Sequence, residues 1–438
     1  MADKIVSTEF KGAGNSVIMI TPEYDENGLP VFSSIRDCFD KVEKLIADGR
    51  ANSIWTIGYG GAAEGIAKMC FGNKIGFAFD VRLTGEQLFK PCYGSFIIEL
   101  NGDAQDGEYV IGKTISDYMI RCIDYTVNLD NIQRVWEGKL EPVFPCRIKT
   151  TDVTPEVYSY SDRLHLTASI KAAQPRVLIP VFPGTNCEYD TARAFEKAGA
   201  VPETVVIRNL TAEAIEESVN YFEKAIRKSQ IIMIPGGFSG GDEPEGSGKF
   251  ITAFFRNPRI KDAVHDLLKN RDGLMLGICN GFQALIKLGL VPYGEIVDMT
   301  ADSPTLTFNT IARHQSMMVN TRIASNKSPW LYGCEVGDIH TIPISHGEGR
   351  FVAPASLIQQ MANNGQIATQ YVDLNGNPTM DIRYNPNTSI EAIEGITSPD
   401  GRVLGKMGHS ERMGSFIGKN VAGNKDQKIF ESGVNYFK

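Results

Sequence analysis

The chain has 438 residues, more than one hydrophobic core usually serves, so its length indicates two or three domains. A content of 42 % hydrophobic and 22 % charged residues is typical of globular proteins, and a net charge of −8 argues against a nucleic-acid surface. No stretch approaches the ~20 apolar residues of a membrane span, and the charged N-terminus lacks the apolar core of a secretory signal. The eight cysteines are scattered without any C-x-x-C pair, which argues against zinc sites and disulfide frameworks and favours a cytoplasmic setting.

Residues 1–150 are predicted to form a mixed α/β domain. Periodic and alternating apolar residues predict strands and helices at 16–24, 33–49, 53–61, 62–71 and 94–100. Beyond residue 141 prolines become frequent and periodic apolar residues few, so we interpret 151–175 as a linker.

From Arg176 onward, apolar strands alternate regularly with amphipathic helices. The pattern predicts strands at 176–184, 204–210 and 230–237, with a fourth in LMLGICNG from Leu274. It predicts helices at 191–200, 211–225 and 247–269, the last with a break at Asn257-Pro258. This order predicts an α/β fold, a doubly wound parallel sheet with ligands at the carboxyl ends of its strands. After residue 300 the chain becomes richer in β-type sequence.

The sequence Gly277-Ile278-Cys279-Asn280-Gly281 has the spacing of a nucleophile elbow, G-x-S-x-G, with sulfur in place of oxygen. Side chains two residues before and after such a nucleophile would collide with the neighbouring strand and helix, which explains the glycines. The helix that follows points its N-terminus at the sulfur, which favours the thiolate, and places the Asn280 N–H as an oxyanion donor. A buried core cysteine at a glycine-lined turn is the alternative interpretation. Cys187, near the end of the first strand of this region, is the most plausible rival thiol.

A thiolate nucleophile needs a base, and two of the six histidines have a glutamate two residues later. One pair is His346 and Glu348, and the other is His409 and Glu411. In a loop after a strand, this spacing lets the glutamate fold back onto the imidazole and set its tautomer. The spacing itself does not choose between the two pairs.

Five segments together resemble the glutaminase domain of phosphoribosylformylglycinamidine synthases, a class I glutamine amidotransferase domain. They are PVFPGTNCEYDTARAFEKAGA (180–200), MIPGGFSGGDEPEGSG (233–248), GICNGFQALIKLGL (277–290), PISHGEGRF (343–351) and GKMGHSER (405–412). The resemblance covers about 176–438 and implies a flavodoxin-like sheet. Residues 1–150 resemble the second half of an aminoimidazole-ribonucleotide-synthetase-like module, which precedes the glutaminase in that family.

The resemblance also assigns the base. The family's P-H-P-E-R motif aligns with residues 408–412, which implies that His409 and Glu411 complete the triad and leaves His346 and Glu348 as second choice. Here Gly408 and Ser410 replace both prolines, so we expect a looser turn. Position favours the same choice. GRVLGKM is a strand-like run that ends at Gly408 and so delivers His409 at a strand end, whereas SHGEGRF lies among glycines and is expected to be mobile.

The loop GGFSGGD corresponds to the family's GGFSYGD, with Gly240 in place of tyrosine. The resemblance implies that Gly236, Gly237 and Phe238 supply the second oxyanion N–H, and that Gln283 contacts the substrate glutamine.

The implied reaction is glutamine hydrolysis through a Cys-His-Glu triad and a γ-glutamyl thioester, which delivers ammonia for ATP-dependent amidine formation from formylglycinamide ribonucleotide in purine biosynthesis. No cofactor or metal is expected in this chain, and ATP and Mg²⁺ are expected in a synthetase region that would precede it. We therefore expect a carboxyl-terminal piece of a longer enzyme, with glutamine and that region or subunit as partners. The alternatives are a stand-alone amidase or cysteine peptidase on the same fold, and a non-catalytic subunit.

Overall fold

A computed structural model describes residues 5–146, 148, 153–163, 167–238 and 248–438. The chain divides into an N-terminal unit, Met1–Pro145, and a C-terminal unit, Cys146–Lys438. No helix in the described ranges is both long enough and apolar enough to span a bilayer.

The N-terminal unit is a mixed α/β structure, as expected. Its strands are β1 Ser16–Ile20, β2 Ala51–Thr56, β3 Gly76–Phe79, β4 Phe96–Leu100, β5 Val110–Ile115, β6 Met119–Arg121 and β7 Thr126–Asn128. Its helices are α1 Phe32–Ala47, α2 Gly61–Phe71, α3 Gly85–Phe89 and α4 Leu129–Gly138. The strands form one sheet in the order β2-β4-β1-β5-β3-β6-β7, in which β3 and β6 are parallel and the other neighbours antiparallel.

The C-terminal unit contains a larger sheet with helices packed on it. Its strands are β8 Arg176–Val181, β9 Val201–Val206, β10 Ile231–Ile234, β11 Leu274–Ile278, β12 Thr305–Phe308, β13 Gln315–Ile323, β14 Ile339–His346, β15 Glu348–Val352, β16 Ile367–Val372, β17 Ile393–Thr397 and β18 Val403–Lys406. Its helices are α5 Glu188–Ala198, α6 Ala212–Lys228, α7 Lys249–Phe255, α8 Pro258–Asn270, α9 Asn280–Leu288, α10 Leu290–Tyr293, α11 Ala355–Asn363 and α12 Ile429–Asn435.

Nine of these strands form a sheet in the order β14-β13-β16-β17-β18-β11-β10-β8-β9. The five strands from β18 to β9 are parallel, which confirms the doubly wound parallel arrangement in this part of the sheet. The remaining four strands extend it in antiparallel fashion, and β12 pairs with β15 outside it. The central parallel strands are buried on both faces, as their continuous apolar sequences require.

The helices begin and end where local chemistry favours it. Thr211 caps α6 by accepting a hydrogen bond from the Ala214 N–H. The break predicted at Asn257-Pro258 is confirmed: the segment forms two helices, α7 and α8, because proline cannot continue a preceding helix.

The segment interpreted as a linker lies against the C-terminal unit where it is described. The Tyr160 N–H donates to the Ala324 carbonyl at 2.9 Å, and the Ala168 N–H donates to the Tyr436 carbonyl at 3.1 Å. These bonds tie residues 153–163 and 167–175 to the large sheet and to the end of α12. His165 lies outside the described residues.

Candidate active site

Cys279 lies at a sharp turn between strand β11 and helix α9. Its φ of +53° and ψ of −106° are strained for a residue with a side chain, and its N–H donates to the Lys406 carbonyl at 2.9 Å. A Cβ at Gly281 would overlap the Ile234 carbonyl oxygen, and one at Gly277 would lie 2.7 Å from the Gly281 carbonyl oxygen. A side chain at either position would therefore collide with its neighbours, as expected.

His409 and Glu411 form a buried hydrogen-bonded pair just beyond β18. Nδ1 of His409 lies 2.6 Å from Oε1 of Glu411. Burial alone would lower the pKa of His409, but the Glu411 carboxylate and the Cys279 and Cys187 sulfurs raise it well above its ordinary value. Burial alone would raise the pKa of Glu411, but His409 lowers it overall. The Cys279 sulfur is among the groups that raise the pKa of His409, so the structure brings Cys279, His409 and Glu411 together.

His346 and Glu348 occupy a different environment. His346 is the last residue of β14 and Glu348 the first of β15, and both are buried, so the expectation of a mobile glycine-rich loop is wrong. In the described part of the chain neither ring nitrogen of His346 has a hydrogen-bond partner. Burial, together with the nearby His409 and His314, lowers the pKa of His346 to about 3. This imidazole is therefore neutral near pH 7, and it is the adjacent Ser345 carbonyl that lies 3.8 Å from the Cys279 sulfur.

Gly236, Gly237 and Phe238 follow strand β10 and lie beside the turn that carries His409. A Cβ at Gly236 would lie 2.7 Å from Cε1 of His409, so only glycine lets the imidazole lie here. The Phe238 N–H already donates to the Gly184 carbonyl at 2.8 Å. Among the described residues the Gly237 N–H has no acceptor, which makes it the better placed oxyanion donor of this loop.

Asn280 and Gln283, the remaining predicted site residues, lie in the first turn of α9. Gly240, where the family has tyrosine, lies outside the described residues. Asn280, whose N–H is the other predicted oxyanion donor, is the first residue of α9. Both polar atoms of the Gln283 amide are engaged, since Oε1 accepts from Nδ2 of Asn280 at 2.9 Å and Nε2 donates to the Glu348 carbonyl at 2.5 Å. In this arrangement Gln283 ties α9 to β15, and its predicted contact with substrate stays a prediction.

Cys187 is the rival thiol, and it lies on the Glu411 side of the His409 ring. Its sulfur is 3.8 Å from Nδ1 of His409 and accepts from Nη2 of Arg412 at 3.0 Å. Cys187, His409 and Glu411 also form the one cluster with metal-ligand spacing among the described residues. A metal ion there would compete with the hydrogen bond between His409 and Glu411 for the same nitrogen.

Sequence reasoning missed a buried ion pair beside the His409 turn. Nζ of Lys406 lies 3.3 Å from Oε1 of Glu394, and both side chains are almost completely buried. The available signal was a lysine within an otherwise apolar strand sequence, VLGKM.

Comparison with known proteins places this site in a family context. Residues 174–437 match the CobB/CobQ-like glutamine amidotransferase domain. Phosphoribosylformylglycinamidine synthase subunit PurQ of Methanococcus maripaludis strain C7 is 38 % identical over 247 residues, which cover 54 % of this chain and 82 % of the relative. The subunit of the same name from Treponema denticola is 32 % identical over 282 residues, covering 60 % of this chain and 99 % of the relative. The solved PurLQS structure from Thermotoga maritima matches 60 % of this chain and 100 % of its own at 26 % identity, with a TM-score of 0.44.

Proposed function

Because the chain belongs to the family of CobB/CobQ-like glutamine amidotransferases, we propose that it is the glutaminase part of a phosphoribosylformylglycinamidine synthase. The observation that carries the proposal is Cys279 in a strained strand-to-helix turn, with the hydrogen-bonded pair of His409 and Glu411 against it. A positioned thiol, an imidazole and an orienting carboxylate are the three parts that acyl transfer requires.

In the proposed reaction His409 accepts the Cys279 proton while Glu411 holds the imidazole by its other nitrogen. The raised pKa of His409 favours this imidazolium, and with it the thiolate. The thiolate attacks the side-chain amide carbon of glutamine, and the N–H groups of Asn280 and Gly237 stabilise the oxyanion. The imidazolium then donates its proton to the amide nitrogen of the substrate, and the C–N bond breaks. Ammonia departs, and a γ-glutamyl thioester remains on Cys279.

Water then completes the cycle. His409 takes a proton from the water as it attacks the thioester carbonyl, and the proton returns to the sulfur as the C–S bond breaks. Glutamate and free Cys279 result. The net change is one glutamine and one water converted into one glutamate and one ammonia, with no redox step.

We also propose a domain organisation and a destination for the ammonia. Residues 176–438 would be the amidotransferase domain, 151–175 a connecting segment and 1–150 a domain like the second half of an aminoimidazole-ribonucleotide synthetase. Ammonia would pass to a synthetase region or subunit that binds ATP and Mg²⁺ and converts formylglycinamide ribonucleotide to its amidine. The scattered spacing of the eight cysteines supports a reducing compartment such as the cytoplasm.

The test is ammonia release from glutamine by the full chain, measured with and without the synthetase partner, ATP, Mg²⁺ and formylglycinamide ribonucleotide. We expect the parent chain to release ammonia and Cys279→Ala to release none. Cys187→Ser, the control for a neighbouring thiol, should retain the activity. We expect amidine formation only when the partner is present. Hydrolysis of other amides in preference to glutamine would favour a stand-alone amidase, and no hydrolysis under any condition would favour a non-catalytic subunit.

A further inference from the structure

The side chain of Lys406 is almost completely buried at the end of β18, where its charge requires compensation. Its Nζ donates to the Gly408 carbonyl at 2.8 Å and to Oγ of Ser410 at 3.0 Å. Glu394 supplies the opposite charge at 3.3 Å. Lys406 therefore binds the residues immediately before and after His409.

Glu394, on β17, holds the same turn from a second direction. Its Oε1 accepts from the Gly408 N–H at 2.6 Å, and its other carboxylate oxygen accepts from the Thr369 hydroxyl. Ser410 in turn donates from its hydroxyl to Oε1 of Gln427 at 2.5 Å. Both peptide groups of Gly408 and the hydroxyl of Ser410 are thus fixed by buried side chains.

The main chain of Lys406 is bonded to the nucleophile at the same time. Its carbonyl accepts from the Cys279 N–H at 2.9 Å, while the His409 N–H donates to the Pro343 carbonyl at 2.9 Å. One residue therefore contacts Cys279 through its backbone and the His409 turn through its ammonium group. Neither Gly408 nor Ser410 is a proline, so no proline ring fixes the backbone direction of this turn.

We propose that the buried pair of Lys406 and Glu394 is a positioning device that sets the His409 imidazole against the Cys279 sulfur. The proposal rests on the proposed function only in taking His409 as the base. Both side chains act on His409 through the turn, by their hydrogen bonds to Gly408 and Ser410. A buried ion pair is often no more stabilising than apolar residues of similar size, so stability alone gives little reason for this pair, whereas aiming a base does.

The test variant is Lys406→Met/Glu394→Gln in the full chain, which removes both charges and keeps an acceptor for the Gly408 N–H. We expect kcat for glutamine hydrolysis to fall about 10²-fold, the loss typical of an ångström-scale misplacement of a catalytic group. KM should be unchanged because substrate contacts remain, and the melting temperature should stay close to that of the parent. Arg402→Met is the matched control, since Arg402 carries an ion pair with Asp400 just before the same strand and has no contact with the turn in the described residues. It should leave kcat unchanged.

A cycle with His409→Ala separates positioning from a general structural effect. If the pair acts through His409, adding Lys406→Met/Glu394→Gln to His409→Ala causes no further fall in kcat. A second measurement on the same variants is the rate at which iodoacetamide alkylates Cys279, followed by peptide mass spectrometry. This assay needs no glutamine. We expect slower alkylation in the Lys406→Met/Glu394→Gln variant and no additional slowing on His409→Ala.

Unchanged kcat and alkylation in the Lys406→Met/Glu394→Gln variant, or equal falls with and without His409, would overturn the inference. If the parent chain hydrolyses no glutamine, the proposed function fails while the alkylation cycle still decides the positioning role. If the Lys406→Met/Glu394→Gln variant does not fold, Ser410→Ala takes its place, and kcat and the alkylation rate are measured with and without His409→Ala. This substitution leaves the ion pair intact. It must show the same dependence on His409, and an equal loss without His409 would contradict the inference.

Discussion

The imidazoles of His409 and His346 differ in what surrounds them although each precedes a glutamate by two residues. Against the effect of burial, the Glu411 carboxylate at 2.6 Å and the Cys279 and Cys187 sulfurs raise the pKa of His409. His346 is buried, and its pKa is lowered to about 3. The spacing in the sequence is identical, and the difference arises from distant segments that pack around each ring. The roles of the two pairs stay predictions that the following variants test.

We predict that His409→Ala lowers the turnover number for glutamine by about 10²–10⁴-fold, the usual contribution of a general base. The matched variant, His346→Ala, should change that number far less, because an imidazole whose pKa is lowered to about 3 is a weak base and has no hydrogen-bond partner among the described residues to orient it. Ammonia release at saturating glutamine measures both. The reverse ranking of the two variants would assign the base to His346.

Acid sensitivity supplies a second prediction. The pKa of His346 is about 3 in the folded chain and ~6.5 when unfolded, so between these values the unfolded chain binds more protons. The free energy of unfolding therefore falls as the pH drops through that window, by up to about 1.4 kcal/mol per pH unit from this group. Urea unfolding of the parent and of His346→Leu at pH 7 and pH 4 should show a smaller loss in the variant. Equal losses would contradict the buried neutral state of His346.

Among the elements, β11, the Cys279 turn and α9 form a unit whose shape depends on two glycines. The close approach of Gly281 to the Ile234 carbonyl brings α9 against β10, and β10 leads directly to Gly236 beside His409. A side chain at 281 would therefore disturb the nucleophile and the oxyanion loop together.

We predict that Gly281→Ala destabilises the C-terminal unit by about 1–3 kcal/mol, as overpacking of a buried contact does. Glutamine hydrolysis should be lost with it, because β10 would have to move. Gly414→Ala is the control, since a Cβ there would be 3.5 Å from the nearest side chain. Thermal unfolding and ammonia release of both variants test this, and a Gly281→Ala chain as stable and active as the parent would refute the packing argument.

The central parallel strands could be predicted from sequence because they are continuous apolar runs, such as IIMI in β10. The antiparallel strands after residue 300 could be predicted only as a β-rich region. Buried polar residues interrupt their apolar pattern, among them Thr369 and Gln370 in β16 and Glu394 in β17. These groups are satisfied by partners far along the chain, and no local pattern reveals such pairs. Lys406 escaped prediction for the same reason.

At the scale of the whole molecule, the family match covers residues 174–437, which lie within the C-terminal unit. It confirms the resemblance of this region to glutamine amidotransferases that the five motifs indicated. The elbow glycines and the H-x-E spacing could be found from the sequence, whereas the choice of Gly237 over Phe238 as donor required the bond from Phe238 to Gly184. The assignment of residues 1–150 to a synthetase-like domain stays a prediction.

The central claim is that Cys279 carries the γ-glutamyl group during glutamine hydrolysis. The most direct measurement is acid quenching of the full chain during turnover with glutamine, followed by digestion and mass spectrometry of the cysteine peptides. We predict a γ-glutamyl thioester on the peptide that contains Cys279 and no such adduct in the Cys279→Ala variant. An adduct on Cys187 instead, or ammonia release by Cys279→Ala at the parent rate, would contradict it.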